Sequence, residues 1–569
     1  MLQIGSGKLY SNSIGRKNIL TGVIYSNLRI SGEEKLETAA GSILPTSYLH
    51  DSLALVYQYS EFMEKADIAP GVLISHGIKP YISDFSVVLS FALNCVATPD
   101  YILSRRLLSN QRGLSTPAPP QKIVTQFFDQ EIVVSAHEKQ HLEKFVKQLI
   151  GLERKYFLGV MRAMRTYITG MHRIADDLEL AYTLIVASIE SLAQDFDGYE
   201  STWEDIDYRK QKMIDGALEG ADSNIGDKIR AAILDVEHTA LSRRFKEFTL
   251  EHVSPSFFRQ EVVNIDAPIS KSDLFLGLNQ AYKARSKYIH NLRELPKLLT
   301  MGNLSVESTV IEKNTWITFQ GLTRLARHVI TQFILRQPTI ESEKYDYTQE
   351  RAGVVQVPLA PEYWVGNYRN LSKESGAKRL GAFLQQYSQC LLSSNSKITD
   401  LSSVLNTVES QLPQMKRQER LPFITLYLLF NGLLPNENRM EGARKVEERF
   451  AKEILEPSPE SLILSLLFDR QPDWGLSVHE ETLLDYFKYK DRKKRVRLPK
   501  LFEAGVTLFL AERYRFSGDL DKALKYVSYA LENYPENKSL REFEADFQLD
   551  NTNSIIWDEV LLFKRDNIS

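Results

Sequence analysis

The chain of 569 residues has only two cysteines, Cys95 and Cys390. Two thiols cannot build a disulfide framework or a four-thiolate zinc site, and they suit a reducing compartment. Glycine (28) and proline (21) are sparse, which excludes collagen-like and broadly disordered chains. Lysine and arginine (70) nearly balance aspartate and glutamate (73), leaving a formal charge of −3. No whole-molecule field therefore draws the protein to nucleic acid, and any such affinity must come from a local patch. Long apolar runs are missing too. The longest, Phe85–Thr98 and Leu421–Leu434, fall short of the ~20 residues that cross a bilayer. The second, between Pro422 and Pro435, reads as a buried helix. The opening Met1-Leu2-Gln3-Ile4-Gly5-Ser6-Gly7-Lys8 has no apolar stretch of signal-peptide length. These absences predict a cytoplasmic protein without a membrane partner.

What remains is 43% hydrophobic and 25% charged, enough for three or four domains at roughly 150 residues each. Residues 1–122 read as a β-rich domain. Short β-branched or aromatic runs such as Leu20–Ile24 and Pro80–Leu89 are separated by Gly, Asn, Ser and Pro. Ser115-Thr116-Pro117-Ala118-Pro119-Pro120 reads as a linker, and Ile123–Phe128 as a further strand. Residues 123–340 read as a helical domain. Leu142, Phe145, Val146, Leu149 and Ile150 repeat as one helix face, and Ser135 with Glu138 has the capping-box spacing that starts a helix. Further helices are expected at Glu179–Gln194, Ile225–Ala240, Lys271–Leu292 and Trp316–Leu335. Residues 341–375 form a second linker. In the last region, 376–569, Leu510, Ala511, Tyr514, Gly518, Ala523, Ala530 and Pro535 stand at the offsets of a tetratricopeptide repeat. A poorer relative surrounds Ala443, Ala451 and Pro457. One repeat cannot bury its own face, so divergent neighbours are expected to complete a short α-solenoid. The expected fold is mainly α with a β-rich N-terminal domain.

Three motifs bear on chemistry. His137-Glu138-Lys139-Gln140-His141 is a literal H-E-x-x-H, whose histidines share a helix face and would hold zinc with Glu138 as base. Against that zinc-protease alternative, Glu138 already serves the capping box, the surroundings are polar, and no third ligand is identifiable. Gly5-Ser6-Gly7-Lys8 is half of a phosphate loop, without the earlier glycine, the following Ser/Thr or a preceding strand. The third is Arg285-Ser286-Lys287-Tyr288-Ile289-His290, an Arg-x4-His. A second Arg-to-His pair, Arg165 and His172, reads as an ordinary helix end near Gly170.

The stretch Ala281-Tyr282-Lys283-Ala284-Arg285-Ser286-Lys287-Tyr288-Ile289-His290-Asn291 resembles the signature of HEPN domains, helical nucleotide-binding and RNA-cleaving modules, and most closely the ApeA-like bacterial branch. Leu180–Leu192, with acidic Glu190, resembles that branch's core helix. Leu322–Ile330 resembles its closing helix. The resemblance covers about 123–340. Where many members have Asn, Asp or His after the arginine, this chain has Ser286.

The resemblance implies a metal-independent endoribonuclease in bacterial anti-phage defence, with paired helices forming one site and no cofactor. Helical geometry agrees with a shared site. Five residues advance 500°, so Arg285 and His290 stand about 140° apart around the axis, and two copies related by a twofold place both pairs around one phosphate. His290 would act as general base or acid, and Arg285 would hold the phosphate with its fork. A 2′-hydroxyl attack would leave cyclic phosphate ends and spare DNA. Glu190, Ser286 and Tyr288 are the supporting candidates. Ser286 stands one turn from His290, within reach of its ring. Lys283, Lys287 and Arg293 would hold the RNA backbone.

A last basic stretch, Lys488–Lys500, includes Lys493, Lys494 and Arg495 near Tyr486, Phe487 and Tyr489. It reads first as a solvated linker between helices and second as an RNA-docking patch. The expected partners are thus RNA, further copies of this chain, and a protein or phage-derived trigger on the solenoid. The alternative to a nuclease is a non-enzymatic scaffold that dimerises or binds nucleotide or protein partners.

Overall fold

The computed structural model describes residues 1–562 except 31–34, 50–51, 66–74, 109–127, 130, 197, 199–201, 204–205, 207, 221, 237–240, 301–305, 356, 358, 370, 394 and 493. The expected linker at 115–120 and nearly all of the expected strand 123–128 lie outside the described residues. The protein is mainly helical with a β-rich N-terminal region, and it divides into two compact units, Met1–Gln356 and Val357–Ser569.

The first unit begins with a five-stranded antiparallel sheet in the order β2-β3-β4-β1-β5, built from β1 (Ile14–Ser26), β2 (Leu36–Thr38), β3 (Gly41–Leu49), β4 (Ser52–Glu64) and β5 (Ala97–Thr98). Strands β1 and β4 run side by side, with Val23 opposite Val56. Between β4 and β5 lies α1 (Ile78–Leu93), which corrects the reading of Pro80–Leu89 as a strand. Pro80 stands in the first helical turn, where no intrahelical partner is lost. Only Lys79 and Ser83 are exposed on this helix, and Asp84, Ser86 and Ser90 are buried with its apolar residues, so no exposed polar face marks a 3.6-residue period in its sequence. On one side Phe85 stacks on Tyr57 of β4 at 4.4 Å; further along, Phe91 meets Phe145 and Tyr167 at 5.9 and 5.5 Å. Through α1 the sheet and the following helices share a single core, from Leu2 to Ile334.

Those helices are α2 (Ala136–Gly151), α3 (Arg154–Arg173), α4 (Leu178–Phe196), α5 (Leu241–Glu251) and α6 (Lys271–Asn291). The capping box of α2 closes: the Ser135 hydroxyl accepts from His137 N–H, and the Glu138 carboxylate accepts from Ser135 N–H at 3.0 Å. Lys8, almost fully buried, donates its ammonium to the carbonyls of Ile150 and Leu152 at the other end of α2. Burial brings that ammonium down to about 8. The glycine-lysine run at the N-terminus thus serves a helix C-terminus.

A hairpin follows α6, β6 (Ser308–Ile311) with β7 (Asn314–Ile317), and then α7 (Phe319–Arg336). Trp316 and Ile317, expected in a helix, are in β7. The turn of this hairpin is made by Glu312 and Lys313, both at positive φ (50° and 64°), where Asn-Gly or Asp-Gly would have announced it. Gly277 of α6 faces β7 so closely that a Cβ there would lie 2.5 Å from Ile317 Cγ1. Arg324 of α7 grips the buried Glu307 with Nε and Nη2 at 2.5 and 2.6 Å and covers the Phe257 ring at 3.7 Å. Glu307 also accepts from Ile269 N–H at 2.9 Å, just before α6 begins.

The second unit contains α8 (Gly376–Leu392), α9 (Arg417–Leu433), α10 (Ala443–Leu455), α11 (Pro459–Leu467), α12 (Leu476–Tyr489), α13 (Lys500–Phe516), α14 (Leu520–Asn533) and α15 (Lys538–Leu549), around one core. The apolar run from Leu421 belongs to α9, which starts before Pro422 and contains it. Leu510, Ala511, Tyr514, Ala523 and Ala530 are buried where α13 packs on α14. No helix among the described residues is long and apolar enough to cross a membrane.

Removing one side of a buried, bidentate ion pair strands the other charge. Glu307→Ala should therefore destabilise the first unit by about 3 kcal/mol, read as a lower denaturant midpoint for its unfolding. An unchanged midpoint would mean that Arg324 finds water instead.

Candidate functional site

The three resemblance segments meet in the first unit. Ser270 caps α6 by accepting from Asp273 N–H at 3.1 Å, and Leu274, Gly277, Leu278, Ala281 and Ala284 bury its inner face. Glu190 stands in the middle of α4, buried in an otherwise apolar face at 3% exposure. Its oxygen Oε2 lies 2.8 Å from Nη2 of Arg285, which is 23% exposed. The approach is oblique: neither Glu190 Oε2 nor Arg285 Nε has a hydrogen-bond partner among the described residues. Gln194, one turn along α4, donates to Glu190 Oε1 at 3.2 Å. Arg285 also lies over the ring of Tyr282 of α6 at 5.9 Å. Burial pushes the Glu190 carboxyl above its ordinary range, while Arg285, Tyr282 and Gln194 pull it back only in part.

Tyr288 ties the C-terminal turn of α6 to the start of α4. Its hydroxyl donates to Asp177 Oδ2 at 3.4 Å, and Asp177 Oδ1 accepts from Leu180 N–H at 2.8 Å. Two residues beyond His290 the helix stops at Leu292, an exposed leucine in the left-handed region (φ 50°). Leucine pays about 1–2 kcal/mol for that conformation. His290 itself is exposed in the last turn. Ser286 lies one turn before it, but no hydrogen bond joins the two among the described residues. Lys283, Lys287 and Arg293 are exposed as well. Phe275, Leu276, Ile289 and Leu292 leave half or more of their surface uncovered on α6 and its cap.

Arg285, Glu190 and Tyr288 are thus joined to the unit's interior, whereas His290, Lys283, Lys287 and Arg293 face solvent. No hydrogen bond or ion pair joins Arg285 to His290 among the described residues. Tyr282 and Gln194 were not singled out from sequence; the i, i+3 spacing of Tyr282 to Arg285 and the i, i+4 spacing of Glu190 to Gln194 were the available signals. Lys494 and Arg495 are exposed in the second unit, and Lys493 lies outside the described residues.

The residues of the remaining motifs make the following contacts. The Glu138 carboxylate is held at the start of α2, and no group of three His, Cys, Asp or Glu among the described residues is placed to hold a metal ion. Arg165 pairs with Asp84 at 2.7 Å, and burial brings the His172 imidazole down to about 4.

The pair predicts a pH signature. A carboxyl whose folded pKa lies above its unfolded value binds more protons in the folded state, so its contribution to stability falls as pH rises through that pKa. Arg285→Ala removes the cation that restrains the rise. The variant should lose about 2–3 kcal/mol at pH 7.5 and less as the pH falls and Glu190 takes up a proton. Glu190→Gln should flatten the pH dependence. Denaturant midpoints measured across pH 5–8 decide it, and equal losses at both ends would overturn it. Comparison with protein families, with curated proteins and with solved structures finds no match.

Proposed function

We propose that the first unit carries a HEPN-type, metal-independent endoribonuclease acting as a homodimer or higher even oligomer, in bacterial defence against phage. The observation that supports this reading is the Glu190–Arg285 pair. Each residue comes from a separate segment that resembles the family, and the two meet in space.

In this reading Glu190 and Tyr282 set the guanidinium of Arg285, and two copies of α6 meet across a twofold so that each His290 faces the partner's arginine. The uncovered Phe275, Leu276, Ile289 and Leu292 supply apolar area for that contact. A ribose 2′-hydroxyl loses its proton to one imidazole and attacks the adjacent phosphorus; a second imidazole protonates the leaving 5′-oxygen. Arg285 stabilises the charge that builds on the phosphoryl oxygens. Lys283, Lys287 and Arg293 hold the flanking phosphates. The second unit, with its tetratricopeptide-like helix pair, receives the protein or phage-derived trigger.

A dimerising scaffold is the second reading. It is favoured by the fact that Arg285 already has a structural partner in Glu190, which accounts for its presence without any chemistry.

Incubation of the purified chain with total cellular RNA and EDTA separates the two. Wild type should release fragments ending in 2′,3′-cyclic phosphate, and His290→Ala should be slower by at least about 100-fold while folding normally. Equal RNA profiles from both, under conditions where wild type kills its host cell, would favour the scaffold. The shared site makes a separate demand. Ile289→Glu with Leu292→Glu should convert the oligomer to monomer in sedimentation and abolish cleavage together, whereas an active monomer would sink the composite site.

A further inference from the structure

The second unit contains a cavity of about 1030 Å³ between α8, the segment that leads into it, and the loop from α12 to α13. Among the described residues six cations line it: Lys378, Lys490, Arg492, Lys494, Arg495 and Arg497. Three have close carboxylate partners. Lys490 pairs with Glu503 at 2.8 Å, Lys494 with Glu374 at 2.7 Å, and Arg497 with Asp491 at 3.2 Å. Lys378, Arg492 and Arg495 have no carboxylate within 4.0 Å among the described residues. Glu460, which feels the charge of Arg495, is buried, and burial pushes its carboxyl above the ordinary range. The cavity therefore keeps uncompensated positive charge.

The loop that carries this charge is held at both ends. Lys490 is anchored on the buried Glu503, and Val496 and Leu498 insert into the core at 1% and 3% exposure. Leu498 N–H also donates to the Tyr486 hydroxyl at 2.9 Å. With 496 and 498 turned inward, Arg495 and Arg497 are turned outward. The loop backbone sits directly on α8, where a Cβ on Gly381 would approach Arg497 O to 3.0 Å.

Aromatic rings accompany the cations. Arg492 lies over the Tyr489 ring at 4.0 Å, and Lys378 lies over Trp364 at 4.8 Å. Trp364 is itself fixed. The buried guanidinium of Arg379, which has no carboxylate partner among the described residues, donates to the carbonyls of Trp364, Val365 and Asn367. A guanidinium laid on an aromatic ring presents its other flat face to a base, and its N–H edges to phosphate.

We propose that this cavity is a docking site for a single-stranded nucleic acid, held at its phosphates by Arg492, Arg495 and Lys378 and at its bases by the faces of Trp364 and the Arg492–Tyr489 stack. An acidic peptide would use the charge but leave the aromatic faces idle. Duplex would match neither a cavity of this size nor stacking. The inference is independent of the ribonuclease reading, since it concerns binding by the other unit.

The test is fluorescence anisotropy of the full-length protein with a labelled oligothymidylate of about twelve nucleotides. Lacking a 2′-hydroxyl, this probe is inert to the cleavage chemistry above. A 2′-O-methylated oligouridylate of equal length, run alongside, distinguishes RNA from DNA as the natural ligand. Arg492→Ala with Arg495→Ala should weaken binding about tenfold or more and reduce the slope of log affinity against log salt by roughly 0.7 per arginine. Trp364→Ala should weaken binding about tenfold while leaving the salt slope unchanged, because a lost stack releases no counterion. Circular dichroism of each variant, matching wild type, excludes misfolding. Failure of wild type to bind either probe, variants that bind like wild type, or displacement by polyglutamate with no effect of Trp364→Ala would each overturn the proposal; the last would assign the cavity to an acidic protein segment.

Discussion

A carboxylate in an apolar helix face is the constraint on which the first unit's candidate site depends. Helix α4 is buried along Ala181, Tyr182, Ile185, Val186, Ile189, Leu192 and Ala193, and Glu190 sits among them. An unpaired charge there costs several kcal/mol unless the group neutralises or finds a partner. Arg285 supplies the partner, and in doing so it aligns α6 against α4. Gln194 satisfies a further lone pair of the same carboxylate. The pair is not a stability device in the ordinary sense, since a hydrophobic pair of equal volume would hold two helices as well. What it adds is a guanidinium at a defined place, partly open to solvent.

The rest of the unit keeps α6 in position to make that pair. Its inner face rests on the 308–317 hairpin through Gly277 and Ile317, its approach is held by Glu307 through Ile269 N–H, and its last turn is tied to α4 by Tyr288 and Asp177. Arg324 links the same Glu307 to α7. These contacts come from the 307–317 segment and from the start of α4, so the helix is held near both ends. One side of α6 is thus fixed by the fold, while Phe275, Leu276 and Ile289 remain exposed.

Much of this was legible in sequence where the signal was local. The capping box at Ser135 and Glu138, the apolar face of α2, the extent of α6 to within a residue, and the small-residue pattern of α13 and α14 all rest on interactions within a few residues, which spacing reports directly. The errors arose where tertiary burial replaced periodicity. Helix α1, enclosed by the sheet and by α2 and α3, has no polar face to give it a 3.6-residue signature, and its β-branched residues read as strand. The hairpin turn at Glu312 and Lys313 uses residues that pay for positive φ, so no turn signal marked it. At the site, Glu190 and Arg285 were recognisable separately, but their pairing is a property of helix packing. Whether Glu190 met Arg285 or another neighbour was open until the two helices were seen together.

The disposition of Arg285 and His290 constrains any chemistry they share. In an isolated chain the guanidinium is drawn inward by Glu190 and the imidazole stands outward in the last turn, so the local fold works against a complete site within one copy. On the ribonuclease reading proposed above, a second copy would be a structural part of the catalyst, and cleavage would depend on protein concentration as the square at low occupancy, not linearly. Under that proposal the dependence would restrain a toxic nuclease without an inhibitor, because dilute chains would lack half of each site. A trigger that raises the local concentration, or orients two copies through the second unit, would supply what is missing without altering a single residue of the site. The exposed leucine at the end of α6 fits this logic. The left-handed backbone of Leu292 closes the helix through its N–H to Tyr288 O at 2.8 Å but leaves the side chain exposed, and apolar burial against a partner would offset the cost of that conformation.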